Sequence, residues 1–201
     1  AQSRIGTLET PCLIIDAVRM DRNIARLRDR LAPMGVPLRP HLKTAKSREV
    51  AVRAMPSPQG PATVSTLKEA EFFAAAGVRD MIYAVGITPC KLAKVIEMRR
   101  SGVDLAVILD TVEQAEAVAL ASRSCGEAIP ALIEIDCDGH RSGVPAQDAE
   151  RLLSIGRAIT QGGELRGVLT HAGGSYAARG AAALQQAAEI ERRSVVDAAH
   201  I

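Results

Sequence analysis

The chain has 201 residues, of which 47% are apolar, 24% charged and 2% aromatic, with a formal net charge of +2 and no Trp. That length and balance fit one sizeable domain with a core of Ala, Val, Leu and Ile, and they exclude a disordered or fibrous chain. Interspersed charge and scarce rings argue against a nucleic-acid reader, and no apolar stretch approaches the roughly 20 residues of a membrane helix.

In chain order, segment 1–10 is polar and carries no signal-peptide pattern, which points to a soluble, cytoplasmic protein. Cys12–Asp16 reads as a strand opened by Pro11, and Val18–Met34 as a helix with Ile24, Leu27 and Leu31 on one face. Pro37–Lys43 is the next extended run, and Ser47 is placed to cap a short helix that ends at Pro56–Pro61. Four strand–helix pairs follow. They are Ala62–Thr66 with Leu67–Ala76, Met81–Val85 with Thr88–Gly102, Asp104–Leu109 with Thr111–Ser124, and Ile129–Asp136 with Ala146–Thr160. Gln114, three residues after Thr111, completes a capping-box pattern. Leu165–His171 and Gly180–Ala199 form a last pair. Cys12, Cys90, Cys125 and Cys137 have no metal-site spacing and read as reduced thiols, some of them buried.

The strand runs are continuously apolar, as in strands covered on both faces, and their alternation with helices implies parallel connections. A (β/α)₈ barrel and an open doubly wound sheet both fit. The chain has no GxGxxG after its first strand and no GxxxxGK[ST]. Reactive side chains sit instead at the ends of several strands: His41 and Lys43, Asp136 and Arg141, His171. Barrel active sites have that distribution. The expected fold is therefore an α/β, TIM-type barrel, incomplete here with about six of its eight strands, since a full barrel takes about 250 residues.

Three segments carry candidate chemistry. In LRPHLKTAKS, a Lys at the end of a buried strand is partly desolvated, and Lys43 would then be a nucleophilic amine; Lys46 reads as a surface residue or phosphate contact. In EIDCDGHRSGV, Arg141 suits an anionic oxygen or pairs with Asp136 or Asp138, and His140 faces solvent. In GVLTHAGGSY, His171 stands at a strand end beside Gly173 and Gly174, where the backbone can approach a ligand.

Together with Thr10-Pro11-Cys12-Leu13-Ile14-Ile15-Asp16 and Arg22-Asn23-Ile24, these segments resemble the fold-type III pyridoxal-phosphate enzymes, the alanine-racemase-like barrels. Within them the chain is most similar to the D-threonine aldolase and D-serine dehydratase branch, through Arg39-Pro40-His41-Leu42-Lys43-Thr44-Ala45-Lys46. The resemblance implies a lyase acting on D-amino acids. In it Lys43 holds pyridoxal 5'-phosphate in a Schiff base, Arg141 donates to the cofactor's phenolic oxygen and His171 packs on its ring. His41 and Tyr176 are further cofactor contacts.

It also implies a homodimer and a divalent metal (Zn or Mn) bound by a C-terminal β-domain. On this reading residues 1–17 lead into a partial barrel spanning 18–201, with the remaining barrel units and the β-domain outside the chain. Ala45 departs from the branch, which has a second His there, and the family's phosphate loop has no match. The alternatives are an amino-acid racemase, a non-catalytic cofactor-binding homeostasis protein, and a barrel for phosphorylated substrates that uses Lys43 as an anion contact.

Overall fold

Parallel pairing organises the whole molecule. A computed structural model describes residues 5–201; the first four residues of the polar segment 1–10 lie outside it. Its strands are β1 (Ala62–Val64), β2 (Asp80–Gly86), β3 (Asp104–Leu109), β4 (Pro130–Asp136), β5 (Val144–Pro145) and β6 (Glu164–Thr170). They run β1-β2-β3-β4, with β6 along the other edge of β4 and β5 paired to its last two residues. Every one of these ladders is parallel, so each return is made by a helix or a long loop.

The helices are α1 (Ala17–Leu31), α2 (Arg48–Ala54), α3 (Leu67–Ala75), α4 (Leu92–Arg100), α5 (Val112–Cys125), α6 (Ala149–Ile159) and α7 (Ala181–Ala199). Their starts are set by short polar side chains that accept otherwise unpaired main-chain N–H groups. Thr66 caps α3 through the Glu69 N–H, Asp148 caps α6 through that of Arg151, and Thr111 and Gln114 form the expected capping box on α5. Gly126 ends α5 in the left-handed region at φ 74°, where a side chain is disfavoured.

Alternation along the strands separates two environments. Met81, Tyr83, Leu105, Val107, Ala131, Ile133 and Ile135 are buried in one cluster with Phe73 of α3, Val95 of α4, Val118 of α5 and Ile155 of α6. Ile82, Ala84, Ile108 and Glu134 face the opposite way, into a cavity of about 530 Å³. That cavity is also lined by His41, bridged to β1, and by His171, just past β6. Residues from both ends of the strand order close on one space, so the sheet is curled. The core helices lie on its convex side, as in a barrel wall and unlike a doubly wound sheet.

Several segments differ from expectation. Cys12–Asp16 forms no strand pairing among the described residues, and Leu13 is 93% exposed. β-branched composition favours extension, but a strand exists only where a neighbour takes its N–H and C=O groups. Pro37–Lys43 contributes a single bridge, His41 to Thr63, because the chain turns at Leu42 and the Lys46 N–H bonds back to the Leu42 carbonyl at 3.1 Å. α1 ends at Leu31 and gives way to a 3₁₀ turn over Ala32–Met34, the Thr88-Pro89 helix begins as a 3₁₀ turn over Pro89–Lys91, and α6 starts three residues later than Ala146. The two-residue β5 was not expected. All four cysteines are free, and none is fully buried: Cys12 and Cys90 are exposed, Cys125 and Cys137 intermediate. Among the described residues no helix is long and apolar enough to cross a membrane.

Candidate active site

The cavity mouth is assembled from the His41 segment beside β1 and the loop that follows β6. On one side, main-chain bonds from the Leu42 N–H to the Thr63 carbonyl and from the Thr63 N–H to the Pro40 carbonyl, each 2.9 Å, dock the His41 segment onto β1. Lys43 follows in the turn and lines the cavity. It stands exposed on that turn, not desolvated at the end of a buried strand, because the segment leaves the sheet at Leu42. His41 is half-buried; burial lowers its pKa first, and the neighbouring Lys43 charge lowers it further, while Glu69 pulls the other way.

On the opposite side, Thr170 ends β6 with its Oγ1 donating to the Ile135 carbonyl at 2.6 Å. His171 then enters the cavity, its Nε2 2.8 Å from the Tyr176 hydroxyl with the two rings edge-on at 6.0 Å. Burial depresses the His171 pKa, and the Arg141 and Lys43 cations depress it further. The Tyr176 ring carries the Arg141 guanidinium 5.5 Å from its centroid, a cation–π contact. Asp136 and Asp138 do not take Arg141: Asp136 accepts the Asp138 and Gly139 N–H groups, and Asp138 accepts those of His140 and Gly174. His140 faces solvent as expected, 67% exposed.

The 2.7 Å bond from the Gly174 N–H to Asp138 Oδ2 ties the β4 loop to the β6 loop. Gly173 and Gly174 make that approach possible: a Cβ on Gly173 would lie 2.9 Å from Arg141 Nε, and one on Gly174 2.9 Å from Asp138 Oδ2. Lys43, His41, His171 and Tyr176 thus line one space. Arg141 reaches it through Tyr176 and is not part of the cavity wall.

Sequence reasoning passed over Glu134. It lies in the cavity wall, 8% exposed, and burial together with the Asp110 and Asp136 charges pushes its carboxyl up to about 7. Its signal was present: one carboxylate inside the apolar run Ala131–Ile135. Ser65 and Glu69, which contact the His41 segment, gave no signal, because contacts between β1, α3 and that turn exist only once the sheet has formed.

The donor set fits the aldehyde and ring ends of a pyridoxal cofactor. An amine and two imidazoles of depressed pKa face a space whose apolar lining is interrupted by Thr63, Glu134, Thr170, Ser175, Tyr176 and Glu191, with the Arg141 guanidinium stacked on Tyr176. No group of three or more His, Cys, Asp or Glu able to hold a metal occurs among the described residues.

Comparison with known proteins agrees with this architecture. Residues 15–199 match the family described as alanine racemase, N-terminal domain. The chain is 51% identical to D-threo-3-hydroxyaspartate dehydratase from Delftia sp. strain HT23, over 98% of this chain and 52% of the dehydratase. The solved structure of that protein superposes with a TM-score of 0.93 over 96% of this chain, and one of its mutants has been solved in a metal-free form. D-serine dehydratase from Dictyostelium discoideum is 30% identical over 86% of this chain and 47% of the relative. The chain thus spans about half the length of these curated relatives. It belongs to the alanine racemase N-terminal domain family of fold-type III pyridoxal-phosphate enzymes.

Proposed function

We propose that the full-length protein is a pyridoxal-phosphate-dependent dehydratase of a D-configured β-hydroxy amino acid, with a 3-hydroxyaspartate-like substrate foremost. The observation that carries this reading is the 51% identity to the Delftia dehydratase across nearly the whole chain, with Lys43 and His171 brought into one cavity. Identity to the 3-hydroxy-D-aspartate aldolase of Paracoccus denitrificans is 28%, which sets retro-aldol cleavage second. A divalent metal held by polypeptide beyond these residues belongs to the proposal, since a metal-free form of the Delftia enzyme implies a metal-bound one.

Lys43 is the residue proposed to hold the cofactor, which when bound supplies an electron-poor ring able to take up the electrons of a bond broken at Cα. The turn over residues 42–46 presents its Nζ to the cavity, and the exposed position lets the amine exchange protons with solvent. The unprotonated Nζ would serve as a base toward a Cα proton. His171, kept neutral by burial and the Arg141 and Lys43 charges, offers an uncharged face for a heteroaromatic ring, and the Tyr176 hydroxyl fixes its tilt. On the His171 side the Arg141 guanidinium adds a cation over the Tyr176 ring, and on the Lys43 side the His41 ring accepts the Lys43 N–H.

The test uses full-length protein, pyridoxal phosphate and D-threo-3-hydroxyaspartate. A keto acid with ammonia is the expected product. Glycine with an aldehyde would replace dehydration by aldol cleavage, the mirror-image amino acid would make the protein a racemase, and cofactor binding without turnover would leave a homeostasis protein. Borohydride reduction should fix a pyridoxyl group on Lys43, and Lys43→Ala should abolish both adduct and turnover. Full activity without Lys43 would overturn the mechanism.

A further inference from the structure

The contacts of His41 determine which of its nitrogens carries the proton. A main-chain N–H can only donate, and that of Lys43 points at His41 Nδ1 at 3.3 Å. Nδ1 therefore presents a lone pair, and the proton of the neutral ring sits on Nε2. That nitrogen lies 3.3 Å from Ser65 Oγ, so the ring donates and the serine accepts. The imidazolium does not suit this place, since a proton on Nδ1 would face the Lys43 N–H.

Ser65 is itself held. Its N–H donates to Glu69 Oε2 at 2.8 Å, and Glu69, buried at the first turn of α3, donates its own N–H to Thr66 Oγ1 at 3.0 Å. An ordinary capping box would return the glutamate to the N-cap residue, Thr66; here it reaches one residue further out, toward the Lys43 turn. The other carboxylate oxygen lies 3.4 Å from Lys46 Nζ. Lys46 closes that turn and is, among the described residues, the one non-glycine with positive φ, at 48°. The turn is thus gripped at Lys43 through His41 and Ser65, and at Lys46 through Glu69. The charged and titratable groups facing His41 are Lys43, Glu69 and His171.

We propose that Ser65 and Glu69 are positioning residues that hold the His41 ring, in the tautomer set by the Lys43 N–H, and thereby the turn presenting Lys43. The inference rests on the reading of Lys43 as the cofactor lysine, but it is measurable without cofactor. In full-length protein, ring ¹⁵N shifts of His41 should show the Nε2–H tautomer. Ser65→Ala should keep the Nε2–H tautomer, which the Lys43 N–H sets, and weaken pyridoxal phosphate binding roughly three- to tenfold, the worth of one hydrogen bond. It should also move the pH midpoint of the lysine–cofactor absorbance. Ser65→Thr, which restores a hydroxyl, should return both to wild type. Glu69→Gln keeps an acceptor for the Ser65 N–H but loses Lys46, and should lower the His41 pKa.

An Nδ1–H tautomer in the wild type would overturn the proposal. So would a Ser65→Ala protein with unchanged affinity and midpoint. If Glu69→Gln fails to fold, the Ser65 pair decides alone. If borohydride leaves Lys43 unmodified in the wild type, the cofactor reading fails, and the tautomer measurement still decides the positioning.

Discussion

Glu134 shows how a single residue carries a pH signature. An isolated carboxyl has a pKa near 4.5, and in the folded protein this one is raised to about 7 by burial first and by Asp110 and Asp136 second. The folded state binds that proton more tightly than the unfolded state, so its contribution is most favourable below pH 4.5 and is lost as pH rises to about 7. Glu134→Gln, neutral at every pH, should therefore match wild type near pH 4 and exceed it by roughly 1–3 kcal/mol at pH 8. Urea denaturation at the two pH values reads this directly; an equal difference at both would show that the carboxyl is not titrating with folding. The placing of Lys43 and His171 on one cavity was legible because each stands in a polar motif beside an apolar run, whereas Arg141 lies outside the cavity wall. Glu134 was passed over because its environment depends on which way its strand faces, which one chain segment does not specify.

At the scale of elements, the pairing of β5 with the end of β4 depends on Gly143. Its φ is 129°, and a Cβ there would fall on the Asp136 amide and 2.9 Å from the Glu134 carbonyl oxygen. Gly143→Ala should cost about 2 kcal/mol or more, measured by thermal unfolding, because both the backbone angle and the space forbid the methyl. Thr111→Ala, by contrast, removes one cap from α5 and should cost about 1 kcal/mol. The capping box was readable because its partners are three residues apart. β5 was not, since Val144 and Pro145 make too short a run to carry any period. Cys12–Asp16 was misread for the opposite reason: its composition favours a strand, yet no described neighbour pairs with it.

For the molecule as a whole, the curled sheet places two imidazoles of depressed pKa on one cavity. A His whose folded pKa lies below its usual value near 6.5 stabilises the fold above that pH, and the stabilisation is lost as pH falls through the folded value. Stability should thus decline as pH drops below about 6.5, a window distinct in sign from that of Glu134. His171→Gln should flatten the decline in a calorimetric pH series; an unaltered slope would place its origin elsewhere. The barrel-type architecture was legible from the alternation of apolar runs and capped helices. The pairing of His41 with β1, and the absence of a full strand there, depended on long-range contacts that local pattern does not encode.

The joining of both sheet ends at one cavity also bears on how the site comes into being during synthesis. Lys43 emerges from the ribosome before β1, with its turn incomplete until β1 and α3 follow, and it meets His171 and Tyr176 only after five further strands have paired. Contacts so distant in sequence form late, because the loop between them must first be closed by everything lying in it. An unfinished chain therefore displays a lysine but no pocket. On the proposed function, capture of the cofactor by Lys43 would wait on the pairing of β6, and bound cofactor would report that these strands are in place.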